Sequence, residues 1–273
     1  MSRATQPHLR EAGAGPRVIC LHANASASTQ WRGLMDLLSA DHHVLAPDAW
    51  GAGKSPEWPS DRVFTLRDEL CLIDGLLDPA LPPAVLVGHS YGAAVALIAA
   101  VERPAQVRAL VLYEPTLFAL IDALAPPPND ADGIRGAVAA ASRALDIGDR
   151  DAAARAIIDY WMDEGSWARM PEARQPAIRD SIVNVRRWAH ALTTEPTPLS
   201  AFAALDIPVL YMTGGRSTAS AHGVARVLVP ALRHVQEAAF EQLGHMGPVT
   251  HPEVVNAEIA RFVKALGDSA SMR

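Results

Sequence analysis

The sequence AVLVGHSYGAAVALIAAVER, residues 84–103, joins an apolar run to an alanine-rich helical pattern. The junction is the G-x-S-x-G pentapeptide Gly88-His89-Ser90-Tyr91-Gly92. A serine on a tight strand-to-helix turn has strained backbone angles, which are tolerated only when its close neighbours lack bulk. The pattern therefore predicts a nucleophilic Ser90 at a helix N-terminus, where developing negative charge is favoured. The alternative is that Ser90 is an ordinary helix N-cap.

Short runs rich in Val, Ile and Leu alternate with longer helical patterns on both sides of this junction. Runs that are apolar throughout are typical of strands buried on both faces, as in a parallel sheet covered by helices. The predicted strands span residues 17–22, 42–48, 84–89, 107–114, 207–214 and 234–240, and the predicted helices 31–40, 65–77, 91–103, 219–229 and 252–266. The alternation indicates a doubly wound α/β fold.

The alternation stops between residues 117 and 203, where the pattern is helical and contains no convincing strand. A segment of about 85 residues is much longer than an ordinary loop. We therefore predict a helical cap at residues 117–203, inserted into a core formed by residues 1–116 and 204–273. The alternative is one long helical connection that lies against the sheet.

The composition narrows the functional classes. The 273 residues carry a net charge of −6 with no Lys/Arg run, which argues against a nucleic-acid partner. Cys20 and Cys71 lie in apolar surroundings and are expected to be buried and unpaired. The N-terminus lacks the apolar stretch of a signal peptide, and no run of 18 apolar residues occurs, so we expect a cytoplasmic protein without a membrane partner. No pattern calls for a metal or an organic cofactor.

Ser90 needs a general base, and the chain offers ten histidines. His245 follows the last predicted strand, at the end of a parallel sheet where the sites of such folds lie. The order of Ser90 and His245 along the chain also fits a serine nucleophile on this turn. His89 points away from Ser90, and His22 is expected to order its own loop. We predict that His245 is the base; the alternative is a surface-loop histidine.

Four segments, in the right order, resemble motifs of the α/β-hydrolase family: LHANAS (21–26), DAWGAGKS (48–55), GHSYG (88–92) and LGHMGPVTHPE (243–253). The resemblance extends over nearly the whole chain. It implies the α/β-hydrolase fold, a mostly parallel central sheet flanked by helices, with the inserted cap. It also implies an oxyanion hole formed by the backbone N–H groups of Asn24 and Tyr91, although Ala23 replaces the usual glycine. Family members that open epoxides or remove halogens use an aspartate nucleophile, so Ser90 argues against both reactions.

The acid that should orient His245 departs from the family pattern. The usual Asp would lie in the loop after the strand that follows the cap, but residues 214–218 contain no acid, and Ser217 takes its place. Asp206 precedes that strand and lies at the opposite end of the sheet. Glu114, at the end of the preceding predicted strand, keeps the order Ser…Glu…His, and we predict that it is the acid. The alternative is a structural Glu114 and a dyad in which Ser217 or water orients His245.

The sequence favours a serine hydrolase that cleaves an ester or related acyl bond of a small-molecule substrate through an acyl-enzyme on Ser90. Acyl transfer and hydrolysis of a carbon–carbon bond are alternative reactions for the same site. The sequence also leaves open whether the protein forms a homodimer. A non-hydrolytic small-molecule receptor is a further alternative, which the missing Asp supports and the Ser90–His245 pair opposes. Trp161, Trp167 and Trp188 would make the cap apolar, although each is more often packing core than substrate contact.

Overall fold

The structure, a computed structural model, describes residues 5–271, and of the last four of these the backbone only. One sheet runs through the molecule in the order β1-β3-β2-β4-β5-β6-β7. β1 is antiparallel to β3, and every other neighbouring pair is parallel. The strands are β1 (Leu9–Ala12), β2 (Arg17–Leu21), β3 (His43–Pro47), β4 (Ala84–His89), β5 (Val107–Tyr113), β6 (Val209–Gly214) and β7 (Val235–Phe240). The predicted α/β fold with a mostly parallel sheet is confirmed.

Helices cover both faces of the sheet and fill the segment between β5 and β6. Their bounds are α1 (Arg32–Leu38), α2 (Leu66–Leu72), α3 (Tyr91–Glu102), α4 (Ala119–Leu124), α5 (Asp132–Asp146), α6 (Arg150–Trp161), α7 (Ser166–Arg169), α8 (Gln175–Ser181), α9 (Val185–Thr193), α10 (Leu199–Ala203), α11 (Ala219–Leu228), α12 (Gly247–Thr250) and α13 (Pro252–Ser271). Two helices are shorter than the sequence predicts. The first begins after a 3₁₀ turn at Ser28–Trp31 and ends at Leu38, and a 3₁₀ turn at Asp74–Leu77 replaces the end of the second. Within the described chain, no helix combines the length and apolarity needed to cross a bilayer.

The central strands are apolar on both sides because both faces are covered. β2 and β4 are buried along their whole length. One face packs on α3, which is itself buried from Tyr91 to Ala100, and the other packs on α1 and α13. Burial on both faces explains why the strand sequences lack polar alternation.

Two features of the fold differ from the sequence-based expectations. β1 was not predicted: it is a half-exposed, four-residue edge strand, so its sequence LREA lacks the apolar run that marks the central strands. Cys71 is exposed, whereas Cys20 is buried in β2, and neither forms a disulfide. The expected burial of Cys71 is wrong because α2 buries a face that includes Leu66 and Leu70, and Cys71 lies off that face.

Residues 114–208, all of which the structure describes, contain α4–α10 and no strand. These inserted helices have a hydrophobic cluster of their own, which includes Ile157, Trp167 and Ile182. Where the chain returns to the core, the buried carboxylate of Glu195 accepts hydrogen bonds from Arg67 (2.8 Å) on α2 and from Thr197. The insertion is thus fixed to the core at its C-terminal end. That residues 117–203 form a separate domain stays a prediction.

Candidate active site

Ser90 lies between β4 and α3 with φ 55° and ψ −114°, in a region that residues with a side chain rarely adopt. Its amide donates to the carbonyl of Tyr113 (2.9 Å), and its carbonyl accepts from Ala94 (3.0 Å). Its hydroxyl makes no hydrogen bond to the first turn of α3. Ser90 is therefore held by backbone hydrogen bonds on both sides, and it does not act as an N-cap.

The turn at Ser90 brings the start of α3 into contact with β2 and β4, which leaves no room for side chains at two positions. A Cβ atom on Gly88 would lie 2.4 Å from the Cα atom of Ala93, and one on Gly92 would lie 2.3 Å from the carbonyl oxygen of Leu21. Both distances are far inside van der Waals contact, and both opposing atoms belong to the backbone. The two glycines of the pentapeptide are therefore required by packing.

The structure brings Ser90, His245 and Glu114 together. Nε2 of His245 lies 2.9 Å from Oγ of Ser90, and Nδ1 lies 2.7 Å from Oε2 of Glu114. A carboxylate only accepts hydrogen bonds, so Nδ1 carries the proton and the lone pair of Nε2 faces the serine hydroxyl. The side chains of His245 and Glu114 are 1% and 0% exposed, which removes competing water from the relay.

Glu114 reaches His245 from the end of β5, in a left-handed conformation with φ 44°. Its Oε1 accepts the amide of Gly214 at 2.7 Å, so both carboxylate oxygens have a donor. Ser217, at the family's usual acid position, makes no hydrogen bond through its hydroxyl. Asp206 pairs with His234 at 2.8 Å, at the other end of β6. Of the two orienting side chains considered, the structure therefore places Glu114 on the imidazole.

His89 holds the loop that carries His245. Its Nε2–H donates to the carbonyl of His245 (2.8 Å), and its Nδ1 accepts from the amide group of Gln30 (3.2 Å). Tyr113 adds a hydrogen bond from its hydroxyl to the carbonyl of Gly244 (2.8 Å). Burial lowers the pKa of His89 well below its ordinary value, which keeps the ring neutral. The sequence predicts that His89 points away from Ser90, but nothing in it predicts this role.

Two backbone amides near Ser90 have no acceptor among the residues that the structure describes. Tyr91 is the first residue of α3, so its N–H has no carbonyl one turn earlier. The amide of Ala23 donates to Gln30 (3.2 Å), whereas that of Asn24, the next residue, donates to no group of the described chain. Asn24 lines the same cleft as Ser90. Both predicted oxyanion donors thus lack an acceptor within the described chain, and His22 orders the loop of Asn24 by donating to the carbonyl of Ala23 (2.7 Å).

A cleft of about 1360 Å³ separates the core from the inserted helices, and Ser90 and His245 open into it. Its walls are mainly apolar. Trp161 and Trp188 line it, whereas Trp167 is buried in the inserted helices' own cluster. Within residues 5–271, no group of three or more His, Cys, Asp and Glu side chains is arranged to hold a metal ion.

Glu69 is a buried carboxyl beneath the site that sequence reasoning missed. Its Oε2 accepts from the hydroxyl of Tyr91 (2.9 Å), and its Oε1 accepts from the amide of Trp50 (3.0 Å). Burial raises the pKa of Glu69 from 4.5 to about 7. The residue therefore changes charge near neutral pH, directly under the helix start that carries Ser90.

The fold agrees with comparisons to known proteins. A family model described as alpha/beta hydrolase fold matches residues 16–252. The chain belongs to this family. Its homologues are hydrolases, and this α/β hydrolase is accordingly a hydrolytic enzyme.

Two sequence relatives and one solved structure show what the chain is similar to. The 2-hydroxymuconate semialdehyde hydrolase of Pseudomonas sp. (strain CF600) is 27% identical over 96% of this chain and 89% of the relative. Lipase LipV of Mycobacterium tuberculosis (strain ATCC 25618 / H37Rv) is 34% identical over 46% of this chain and 50% of the lipase. The crystal structure of haloalkane dehalogenase DbeA from Bradyrhizobium elkani USDA94 superposes with a TM-score of 0.74 at 22% identity, covering 96% of this chain and 94% of that one. At 22% sequence identity, this structural likeness is evidence for a similar fold only.

Replacing Gly88 by Ala should lower the free energy of unfolding by about 1–3 kcal/mol, because the added methyl group meets the backbone of α3. Urea denaturation measures this loss. Gly136→Ala on α5 is the matched control: open space surrounds its Cβ position, and Ala raises helix stability by up to about 1 kcal/mol. Equal stabilities of the two variants would contradict the packing argument.

The raised pKa of Glu69 predicts a pH dependence of stability. Because the folded state holds this proton more tightly than the unfolded chain, the free energy of unfolding should fall as the pH rises from 4.5 to about 7. The total fall is on the order of 3 kcal/mol. Glu69→Gln has no proton to lose, so the variant should gain on the wild type between pH 5 and pH 8 in urea denaturation. Parallel pH profiles would show that the carboxyl stays charged throughout.

Proposed function

We propose that this α/β hydrolase cleaves a carboxylic ester, or a closely related acyl bond, through an acyl-enzyme on Ser90. The proposal rests on two consecutive hydrogen bonds, one between Ser90 and His245 (2.9 Å) and one between His245 and Glu114 (2.7 Å). Acyl transfer also needs donors for the tetrahedral oxygen and space for the substrate. Two backbone amides without acceptors and the apolar cleft beside Ser90 provide both. The substrate that fits a cleft of this size is a small molecule.

In the first half of the reaction, Oγ of Ser90 attacks the carbonyl carbon while Nε2 of His245 takes the hydroxyl proton. The carboxylate of Glu114 stabilises the imidazolium through Nδ1–H. The tetrahedral oxygen accepts hydrogen bonds from the amides of Asn24 and Tyr91. When the carbon–oxygen bond to the leaving group breaks, His245 returns the proton to that oxygen, and an alcohol departs.

In the second half, water enters the place of the alcohol. His245 removes a proton from this water as its oxygen attacks the acyl carbon. Collapse of the second tetrahedral intermediate breaks the bond to Ser90, and His245 gives the proton back to Oγ. The acid leaves, and the enzyme is restored without a cofactor.

The local relationship to lipase LipV supports ester cleavage, and the serine nucleophile separates this chain from dehalogenases and epoxide hydrolases of the family. A second candidate is cleavage of 2-hydroxymuconate semialdehyde, because the hydrolase named for that compound matches this chain along nearly its whole length. Both candidates use the same three side chains, so the substrate decides between them.

The first test is hydrolysis of p-nitrophenyl acetate, butyrate and octanoate. The wild type should turn over at least one ester, and Ser90→Ala should reduce kcat by about 10⁶-fold because the nucleophile is lost. Ser217→Ala removes a hydroxyl that makes no hydrogen bond within the described chain, and it should keep wild-type activity. Wild-type turnover of 2-hydroxymuconate semialdehyde but of none of the esters would favour the second candidate, and stoichiometric binding without turnover would favour a receptor.

The second test concerns the acid. Glu114→Gln should lower kcat by about 10⁴-fold with little change in KM, because the amide no longer enforces the productive tautomer of His245. Circular dichroism and urea denaturation verify that the variant is folded. If Glu114→Gln kept its kcat while Ser217→Ala lost it, Ser217 would be the orienting group and Glu114 a structural residue.

A further inference from the structure

Trp161, the last residue of α6, is the point at which the inserted helices touch the general base. Its indole ring stacks on the imidazole of His245, with ring centroids 3.8 Å apart and planes inclined by 24°. Both ring nitrogens of the imidazole already have hydrogen-bond partners, since Nε2 faces Ser90 and Nδ1 faces Glu114. The indole therefore occupies a face of the base and leaves its hydrogen bonds intact.

The indole is held in this place from several sides. The ring of Tyr160 packs edge-on against it at 4.9 Å, and the hydroxyl of Tyr160 lies 2.6 Å from that of Ser220 on α11. Phe118 lies roughly parallel to it at 6.4 Å. Trp161 also packs against both the core cluster around α3 and the cluster of the inserted helices. These contacts order the ring before substrate binds.

The stack should strengthen when His245 becomes protonated. The face of an indole carries partial negative charge, so it attracts a cation more strongly than a neutral ring, and Trp is the most effective side chain in this respect. As the proposed general base, His245 gains a proton, and with it a positive charge, on the way to the transition state. An interaction that is stronger in the transition state than in the ground state raises kcat.

We propose that Trp161 is a positioning residue of the hydrolytic site: its indole fixes the plane of the His245 ring and stabilises the imidazolium that forms there. This role rests on the proposed function, since it requires His245 to act as the base. It makes the inserted helices part of the proton-transfer machinery as well as a wall of the cleft.

The kinetic test compares Trp161→Phe with Trp161→Leu. Leu keeps an apolar side chain but has no ring, so kcat should fall about tenfold with little change in KM, and Phe should restore most of the loss. The matched control is Trp188→Phe and Trp188→Leu, at a cleft tryptophan without a ring contact to His245. Equal kcat values for the two Trp161 variants, or a change confined to KM, would overturn the proposal.

A second test needs no substrate. An imidazolium quenches the fluorescence of an indole in contact with it, so the emission of Trp161, obtained by subtracting the Trp161→Phe spectrum, should fall on acidification. The same subtraction in a His245→Gln background should give no such fall; the other titratable groups beside His245, Glu114 and His89, are present in both backgrounds. An equal fall in both backgrounds would overturn the contact, whereas absence of wild-type ester turnover would contradict only the proposed function.

Discussion

The close approach of α3 to β2 and β4 is the constraint on which the site depends. Without side chains at Gly88 and Gly92, the helix begins within contact distance of two strands, and Ser90 is forced into a left-handed conformation that projects its hydroxyl into the cleft. The same geometry leaves the amide of Tyr91 at a helix start with no acceptor. The proposed nucleophile and one proposed oxyanion donor therefore both depend on a single packing contact.

The position of the acid follows from the sheet. β5 and β6 are parallel neighbours, with Tyr113 opposite Met212, so the residue after β5 and the loop after β6 reach the same edge at almost the same level. A carboxylate can thus approach His245 from either strand. Glu114 does so from β5 with its backbone at positive φ, and the amide of Gly214 on β6 secures its second oxygen.

The sequence was sufficient for the parts of the structure that depend on local pattern. The buried strands, the turn at Ser90 and the loop of His245 each leave a mark in a short stretch, and Glu114 followed from its place at a strand end. The edge strand β1 leaves no such mark, because it is half exposed. The hydrogen-bond partners of His89 and Glu69 were not predicted either, because each partner lies on a distant segment and only the folded chain brings them together.

The inserted helices link the size of the cleft to the chemistry of the base. They wall the cleft, they are fixed to the core through Glu195 and Arg67, and their Trp161 lies on the ring of His245. A change in their packing would therefore alter substrate space and proton transfer together. The proposed role of Trp161 nevertheless predicts that single substitutions separate the two effects: side chains of the insertion that line the cleft away from His245 should affect binding, and those in contact with the imidazole should affect the chemical step.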